Sequence, residues 1–571
     1  MVITSRTACR RCMNLNFLWC FTHRRIAKVL LFLVPCLPAS SQDLQNVLNS
    51  AMDNWFRFYR SRIDYDVYLH PDKAVYSKGQ PVFFSAYLFH NDTAADPPKS
   101  FIAAITDEWA QELVTYGQFP LSHDRGSGVL YLPDSMTPGW YTLIAYPPER
   151  QLYHDNPLFS TTIQVDPDRA GPRKSRTVIH PVGPPDNRAI WHVRYRPEGG
   201  TIVAGRSAYV GIYIEDNFGQ PVGMSGELLE NGIPVRTFHT DSLGIAAISY
   251  QFDDWKKYEV RFPGLSSIIV MEGSFPEVFA SGYSLSVRNN DTSQRVNIFC
   301  RPRRTDQNFV LFIYNRHAVA VGFEEPKSDY GVLSSPLTNY WPPGLYMITV
   351  LDSLGHVRAE QPVFKKGEGL VLKIKPDSTA FRGNGKIAVR LQVTDSFSVP
   401  RSCALSASLA LTDQMPTPQE PDIEAYPFFD PVLFPDEKQK DLLDVIRAKD
   451  STSSGLNYRD KIVLAKFPAK DAWQRLTQIG NGKPELTEFA RFDPIIDEIP
   501  VLMHEFPDTE NHSPKAKYPL HWLPDIATDK DGIAMAVFDN PGRTGIYRVS
   551  VQGVCGKTTV SGHAEIFVFK N

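Results

Sequence analysis

Tyr76-Ser-Lys-Gly79-Gln-Pro-Val82-Phe-Phe84-Ser-Ala86-Tyr-Leu88 sets an apolar side chain at every second position after a glycine. That period of two marks a strand with one buried face, and the glycine marks the turn that enters it. The pattern returns twice. Val203-Ala204-Gly205 leads into Ala208, Val210, Ile212 and Ile214, and Phe381-Arg382-Gly383 leads into Ile387, Val389, Leu391 and Val393. Recurrence at intervals of roughly a hundred residues predicts tandem β-sandwich domains rather than one catalytic body.

The closing halves recur as well. Pro138-Gly139-Trp140-Tyr141-Thr142-Leu143 matches Pro343-Gly344-Leu345-Tyr346-Met347-Ile348, and Gly545-Ile546-Tyr547-Arg548-Val549 is a third copy near the end. Each reads as a turn glycine entering a strand, with the tyrosine expected on one face and the aliphatics on the other. Polar runs before Gly128, Gly244 and Gly532 supply hairpins between the opening and closing strands.

With 571 residues the chain has room for about three to five domains. An apolar content of 42% suits packed cores, and 45 prolines against 36 glycines fit many strand edges and linkers. A formal charge of −3 and a pI near 6.5 give no basic field to recommend nucleic acid as a partner.

At the N-terminus, Arg24, Arg25 and Lys28 precede the run Val29-Leu-Leu-Phe-Leu-Val34, followed by Pro-Cys-Leu-Pro-Ala-Ser-Ser. Positive charge, a short apolar core and small residues read as a secretory signal peptide over residues 1–41, with Met13 a second candidate start. The run is too short for a stable membrane anchor. Cleavage near Ser41/Gln42 would place the mature protein in the periplasm, at the outer-membrane surface or outside the cell. Cys36 offers an alternative as an acylated first residue, although Pro35 departs from the small residue such a signal wants. Of seven cysteines only Cys300, Cys403 and Cys555 follow the leader, far apart in sequence. At most one disulfide can form among three, so the cores rather than staples are expected to hold the fold. No cysteine pair has zinc-ligand spacing, and no metal or cofactor is implied.

Several motifs in the same order carry a resemblance. Asp66-Val-Tyr-Leu-His-Pro-Asp-Lys73, Tyr76–Gly79 and Leu132-Pro-Asp-Ser-Met-Thr-Pro-Gly-Trp-Tyr141 resemble the bacterial alpha-2-macroglobulin-type domain. Tyr195-Arg-Pro-Glu-Gly-Gly-Thr201 with Val203-Ala-Gly205 is similar to the start of the next such domain. Leu520-His-Trp-Leu-Pro-Asp525 with Thr528-Asp-Lys-Asp-Gly532 is similar to the family's closing strand pair. The likeness covers most of residues 60–412 and 518–571. It implies an all-β chain of tandem macroglobulin-like sandwiches: a lead-in helix at 42–64, sandwiches at 65–166, 189–280 and 281–366, a linker at 167–188, and a fourth sandwich at 367–571. It also implies a cell-envelope location, beside TonB-dependent receptor systems. The partner it implies is an envelope protein, a transport receptor or a protease, with membrane association through that partner or a lipid anchor.

The sequence departs from the family where the family traps proteases covalently. That chemistry uses Cys-Gly-Glu-Gln, whereas the lookalike here is Cys555-Gly556-Lys557-Thr558. Threonine has no carboxamide to acylate the sulfur, so no thioester is expected. The same stretch is no phosphate-binding loop, because Val551 stands where the Walker pattern needs glycine and two strands flank the turn. There is no H-E-x-x-H helix and no G-x-S-x-G elbow. His317, His356 and His521 read as surface or turn residues. The acid pairs Asp253-Asp254, Glu324-Glu325 and Asp107-Glu108 read as solvated loops, with a weak calcium site as the alternative. An enzyme whose site is assembled from remote loops stays open at this level.

Residues 413–518 interrupt the last sandwich, because strands at 387–411 find no closing partners before Leu520. The insertion opens with Pro416-Thr-Pro-Gln-Glu-Pro421 and contains an amphipathic helix at 436–449 carrying Leu442, Leu443, Val445 and Ile446. A second short helix is expected at 469–478. The insertion reads as an elaboration packed on the neighbouring sandwich. Its alternative is a bait or docking segment exposed around Asp450, Ser451, Ser453 and Gly455, where Ser and Gly cluster.

Overall fold

The computed structural model describes residues 18–20, 40–60, 65–90, 97–109, 112–152, 158–166, 189–264, 269–290, 293–301, 309–316, 319–324, 332–333, 343–367, 369–383, 385–416, 422–430, 433–434, 439–448, 452–453, 456–468, 472–478, 492–500 and 521–569. The linker at 167–188, the run 29–34 and Cys36 lie outside them. The chain divides into two compact units, Met1–Tyr59, Ser175–Lys366 and Phe429–Gly482 in one, Arg60–Lys174, Gly367–Phe428 and Lys483–Asn571 in the other. Both are built from β-sandwiches.

The three repeated openings share one physical device. Gly79, Gly205 and Gly383 have φ of 75°, 88° and 73°, a left-handed conformation that costs glycine little. At each, the chain crosses from one sheet to another. The short strands Val75–Tyr76, Ile202–Val203 and Ala380–Arg382 pair in parallel with Phe159–Val165, Val278–Phe279 and Thr558–Phe569. Beyond the glycine, Pro81–His90, Ser207–Asp216 and Lys386–Asp395 run antiparallel in the facing sheet. Their alternating residues Val82, Phe84, Val210, Ile212, Ile387 and Val389 are fully buried, as the period of two requires.

In the second unit, one sandwich faces the sheet Tyr65–Pro71, Pro81–His90, Arg125–Tyr131 against a five-stranded sheet centred on Gly139–Tyr146. The other faces Leu370–Pro376, Lys386–Asp395, Ile533–Asp539 against five strands that include Ala404–Leu411, Gly545–Cys555 and Thr558–Phe569. In the first unit, a four-stranded sheet containing Ser207–Asp216 encloses a core of Val210, Ile212, Leu228 and Phe252. A second sandwich there joins Gly282–Asn290 and Ser293–Arg301 to Phe309–Tyr314, Val319–Glu324, Gly344–Leu351 and Val357–Lys365. Leu18–Cys20, within the segment read as leader, pairs with Val319–Val321 at that sheet's edge.

The closing tyrosines correct the sequence reading. Tyr141, Leu143 and Ala145 share one core face, as do Tyr346, Ile348 and Val350, and Tyr547, Val549 and Val551. Residues two apart on a strand must point the same way, so the tyrosine joins the aliphatics instead of opposing them. Its hydroxyl is satisfied by reaching back along the chain. Tyr141 donates to the carbonyl of Thr137 at 2.7 Å and Tyr547 to that of Arg543 at 3.1 Å. This is the tyrosine-corner arrangement of β-sandwiches. Tyr547→Phe should therefore lower stability by about 1 kcal/mol while leaving the fold intact, measurable as a lower melting temperature with unchanged circular dichroism.

The insertion is more helical than its sequence suggested. α1 (Ser40–Arg60) is the lead-in helix, and the described residues between 413 and 518 include the helices α2 (Gln439–Arg447), α3 (Tyr458–Lys466), α4 (Ala472–Gln478) and α5 (Asp493–Glu498). The expected helix at 436–449 corresponds to α2, which buries Leu442, Leu443 and Val445. The one at 469–478 corresponds to α4; the residues before each lie outside those described. In the first unit α3 lies on the strands Ser207–Asp216 and Ile245–Gln251. A Cβ on Gly211 would stand 2.9 Å from the Ala465 backbone, so only glycine lets the helix sit this close. In the second unit Phe492 and α5 residues Ile495 and Ile496 cover Ile102, Ala104, Ile144 and Tyr146. The insertion thus packs within both units, not on the last sandwich alone.

Candidate functional site

In the first unit, α1 presents Leu48, Ala51 and Trp55 at helical spacing toward the protein, and all three are buried. The Trp55 indole N–H donates to the carbonyl of Asn315 at 3.0 Å, which fixes the helix at the end of Phe309–Tyr314. α4 is fixed beside the same sheet. Its Trp473 backbone N–H donates to Glu360 Oε1 at 2.8 Å, and the ring meets Phe312 and Tyr314 edge-on at 5.2 and 6.0 Å. Glu360 also accepts from Thr349 at 3.1 Å, so its buried carboxylate is well supplied with donors.

Between α1, α4 and the turn after Gly344–Leu351 lies a cleft of about 610 Å³. Asn46, Ser50 and Asn54 recur every four residues and line one wall, while Gln474 and Thr477 line the other. Leu351, Leu354, Val357 and Trp473 supply the apolar part. The rim turn is tied by its own hydrogen bonds. Asp352 Oδ1 accepts from the backbone N–H of Leu354 and His356, both at 2.9 Å, and Arg358 holds the other oxygen. That turn pushes Leu354 outward, 75% exposed. Amides and hydroxyls above an apolar floor, with no ionic group in the lining, equip the cleft to bind an uncharged segment rather than to move protons.

A nucleophile and a base far apart in sequence meet in the second unit. His70 Nδ1 lies 2.7 Å from Ser406 Oγ, 336 positions away. Tyr87 OH bonds Ser406 Oγ at 2.8 Å, Tyr68 OH donates to Gln552 Oε1 at 2.7 Å, and the Trp522 ring stands edge-on to His70 at 5.3 Å. Ser406 is fully buried and His70 is 2% exposed. Burial pushes the His70 pKa down to about 3, so the ring is neutral and sealed from substrate. The pair joins the strands of two sandwiches and serves packing, not catalysis.

The residues singled out from sequence are distributed as follows. Cys555, the thioester lookalike, forms a disulfide with Cys403 across a sequence separation of 152, with Cα atoms 4.2 Å apart. Adjacent sheet strands bring the two together, correcting the expectation that cores alone hold the fold. Its sulfur is consumed, which excludes a thioester independently of Thr558. Gly556, with φ of 61°, makes the hairpin between paired Cys555 and Thr558. Cys300 stands outside that disulfide, beside Tyr283. Asp450, Ser451 and Gly455 lie outside the described residues. Ser453 sits in the two-residue strand Thr452–Ser453, paired with Leu456–Asn457, from which Asn457 caps α3 by accepting from Asp460 N at 2.7 Å. Asp253 and Asp254 pair with Lys256 and Arg301, and Asp107 accepts from backbone N–H groups of its own turn. His521 lies 3.6 Å from Asp72, His356 lies 3.5 Å from Asp352, and His317 is outside the described residues. No cluster of three metal-ligating side chains occurs among the described residues.

No protein-family model matches the chain, and no curated protein matches it. Among solved structures it is similar to Salmonella alpha-2-macroglobulin reacted with methylamine, at 8% identity and a TM-score of 0.31. It is likewise similar to the native conformation of E. coli alpha-2-macroglobulin, at 9% identity and a TM-score of 0.34. In both cases the match covers 89% of this chain and 40% of the other. A tetra-tandem repeat from the extending region of a large adhesion protein matches at 10% identity and a TM-score of 0.20, over 89% of this chain and 99% of that one. Likeness at these values transfers no activity, partner or site.

Proposed function

We propose that this chain is a non-enzymatic protein of the cell envelope that works by protein–protein contact, with the cleft beside α1 and α4 receiving an uncharged polypeptide segment. The observation that carries the reading is the cleft's lining of amides and hydroxyls above an apolar floor. The Ser406–His70 pair supports it from the other side, since this nucleophile and base are buried beyond a substrate's reach. The Cys403–Cys555 bridge suits an oxidising compartment and agrees with the expected secretory leader. The partner is an envelope protein, with an outer-membrane transport receptor as the first choice.

The test places photo-reactive p-benzoylphenylalanine at position 354 on the cleft rim of the full chain in its native host. Irradiation should give a discrete adduct with an envelope protein, and Ser50→Arg, which fills the cleft, should abolish it. An adduct that persists in the Ser50→Arg protein would remove the cleft from the mechanism. A hydrolytic activity lost in Ser406→Ala would overturn the non-enzymatic reading.

A further inference from the structure

A second surface, in the other unit and independent of the cleft, carries a more specific chemistry. Leu370–Pro376, Lys386–Asp395 and Ile533–Asp539 form a three-stranded sheet whose inward residues, among them Val389, Leu391 and Ala536, belong to the sandwich core. Its outward face carries Lys373, Lys375 and Arg390, all exposed, beside Val371, Met535 and Val537, which are 43%, 54% and 42% exposed. The register sets Lys375 directly opposite Arg390, and Arg390 directly opposite Met535.

Like charges facing each other across a strand pair destabilise a sheet. Lys386, on the same face, has its counter-ion in Asp539. Lys373, Lys375 and Arg390 have no carboxylate partner among the described residues. This face therefore carries three basic side chains without a counter-ion among the described residues. Met535 and Val537 stand on the strand beside Arg390, and Val371 on the opposite edge strand. A surface of carboxylates and apolar side chains would complement both kinds. We infer that the outer face of this sheet is a docking surface for a partner protein that presents carboxylates beside apolar side chains. The geometry favours a protein over an anionic membrane. Val371, Met535 and Val537 stand on the strands of a sheet face rather than on a projecting loop or helix, whereas insertion into lipid needs apolar groups that reach about 5–10 Å into the headgroup boundary.

The full chain should be titrated with a fluorescent peptide of alternating Glu and Val, with its Ser–Val counterpart, and with phosphatidylcholine vesicles containing phosphatidylglycerol. The Glu–Val peptide should bind, more weakly as salt rises, and the Ser–Val peptide should not. The exposed triple variant K373Q/K375Q/R390Q should bind the acidic peptide about tenfold or more weakly. Ser50→Arg in the cleft should leave this binding unchanged, so this surface and the cleft stand or fall separately. Lys375→Glu alone should raise the melting temperature, because it turns a like-charge pair into an opposite one. The inference is overturned by undiminished binding in the triple variant, by vesicle binding without peptide binding, by no binding at all, or by a lower melting temperature in Lys375→Glu.

Discussion

Lowering the pH from 7 to 4.5 should weaken the contact around His70 by on the order of 2–3 kcal/mol, and His70→Gln should lose most of that dependence. An unfolded histidine titrates near 6.5, whereas burial holds the folded one down to about 3. The unfolded chain thus takes up the proton first as the pH falls. The stabilisation is complete above about pH 6.5 and disappears progressively toward pH 3. Among the described residues the imidazole's neighbours are the Ser406 and Ser550 hydroxyls and the Trp522 ring, none of which carries a negative charge to stabilise the imidazolium. Hydrogen exchange in Tyr65–Pro71 and Ala404–Leu411 reads this contact locally. Taking the difference between wild type and His70→Gln cancels the other titrating groups. Equal pH slopes for the two proteins would show that His70 is not held neutral.

Removing the Cys403–Cys555 bridge should cost about 2–5 kcal/mol, since it closes a long loop in the unfolded chain. The bridge ties Ala404–Leu411 to the end of Gly545–Cys555, two strands already paired from Leu411↔Tyr547 to Ala404↔Val554. A loop spanning the whole insertion is therefore closed at its base. Cys403→Ala with Cys555→Ala should melt well below the wild type, and reductant should lower the wild type to match. Peptide mapping of the unreduced protein should find Cys403 and Cys555 linked to each other, with Cys300 outside the linked peptide. A linked peptide containing Cys300 would refute the pairing.

The strands at 81–90, 207–216 and 386–395 were legible because a face buried over several residues imposes its period on the local sequence. The glycines ahead of them were legible because few other residues adopt the left-handed turn. α2 was legible from its apolar stripe. α3, Tyr-Arg-Asp-Lys-Ile-Val-Leu-Ala-Lys, was not: it buries Arg459 and Lys466, which obscures any apolar face. Those charges are tolerated only because α2 answers them, with the carbonyls of Val445 and Ala448 accepting from Arg459 and with Asp441 and Asp444 accepting from Lys466. α5 spans only 6 residues, too few to display a helical period.

By itself the sequence determined the repeated opening and closing strands, the glycine turns that enter the openings, and that Cys555 lacks the neighbour a thioester needs. Each of these is a local property, written within about ten residues by period two, by left-handed glycine or by side-chain chemistry. The runs before Gly128, Gly244 and Gly532, read as hairpins, instead carry the chain between different sheets. Only the tertiary structure decided that Cys555 meets Cys403, that His70 meets Ser406, that Asn46, Ser50 and Asn54 face Gln474 and Thr477 across a cleft, and that Lys375 stands opposite Arg390. Each joins residues remote in sequence or depends on strand register. Such juxtapositions follow from how sheets and helices pack, which no local pattern in the chain encodes.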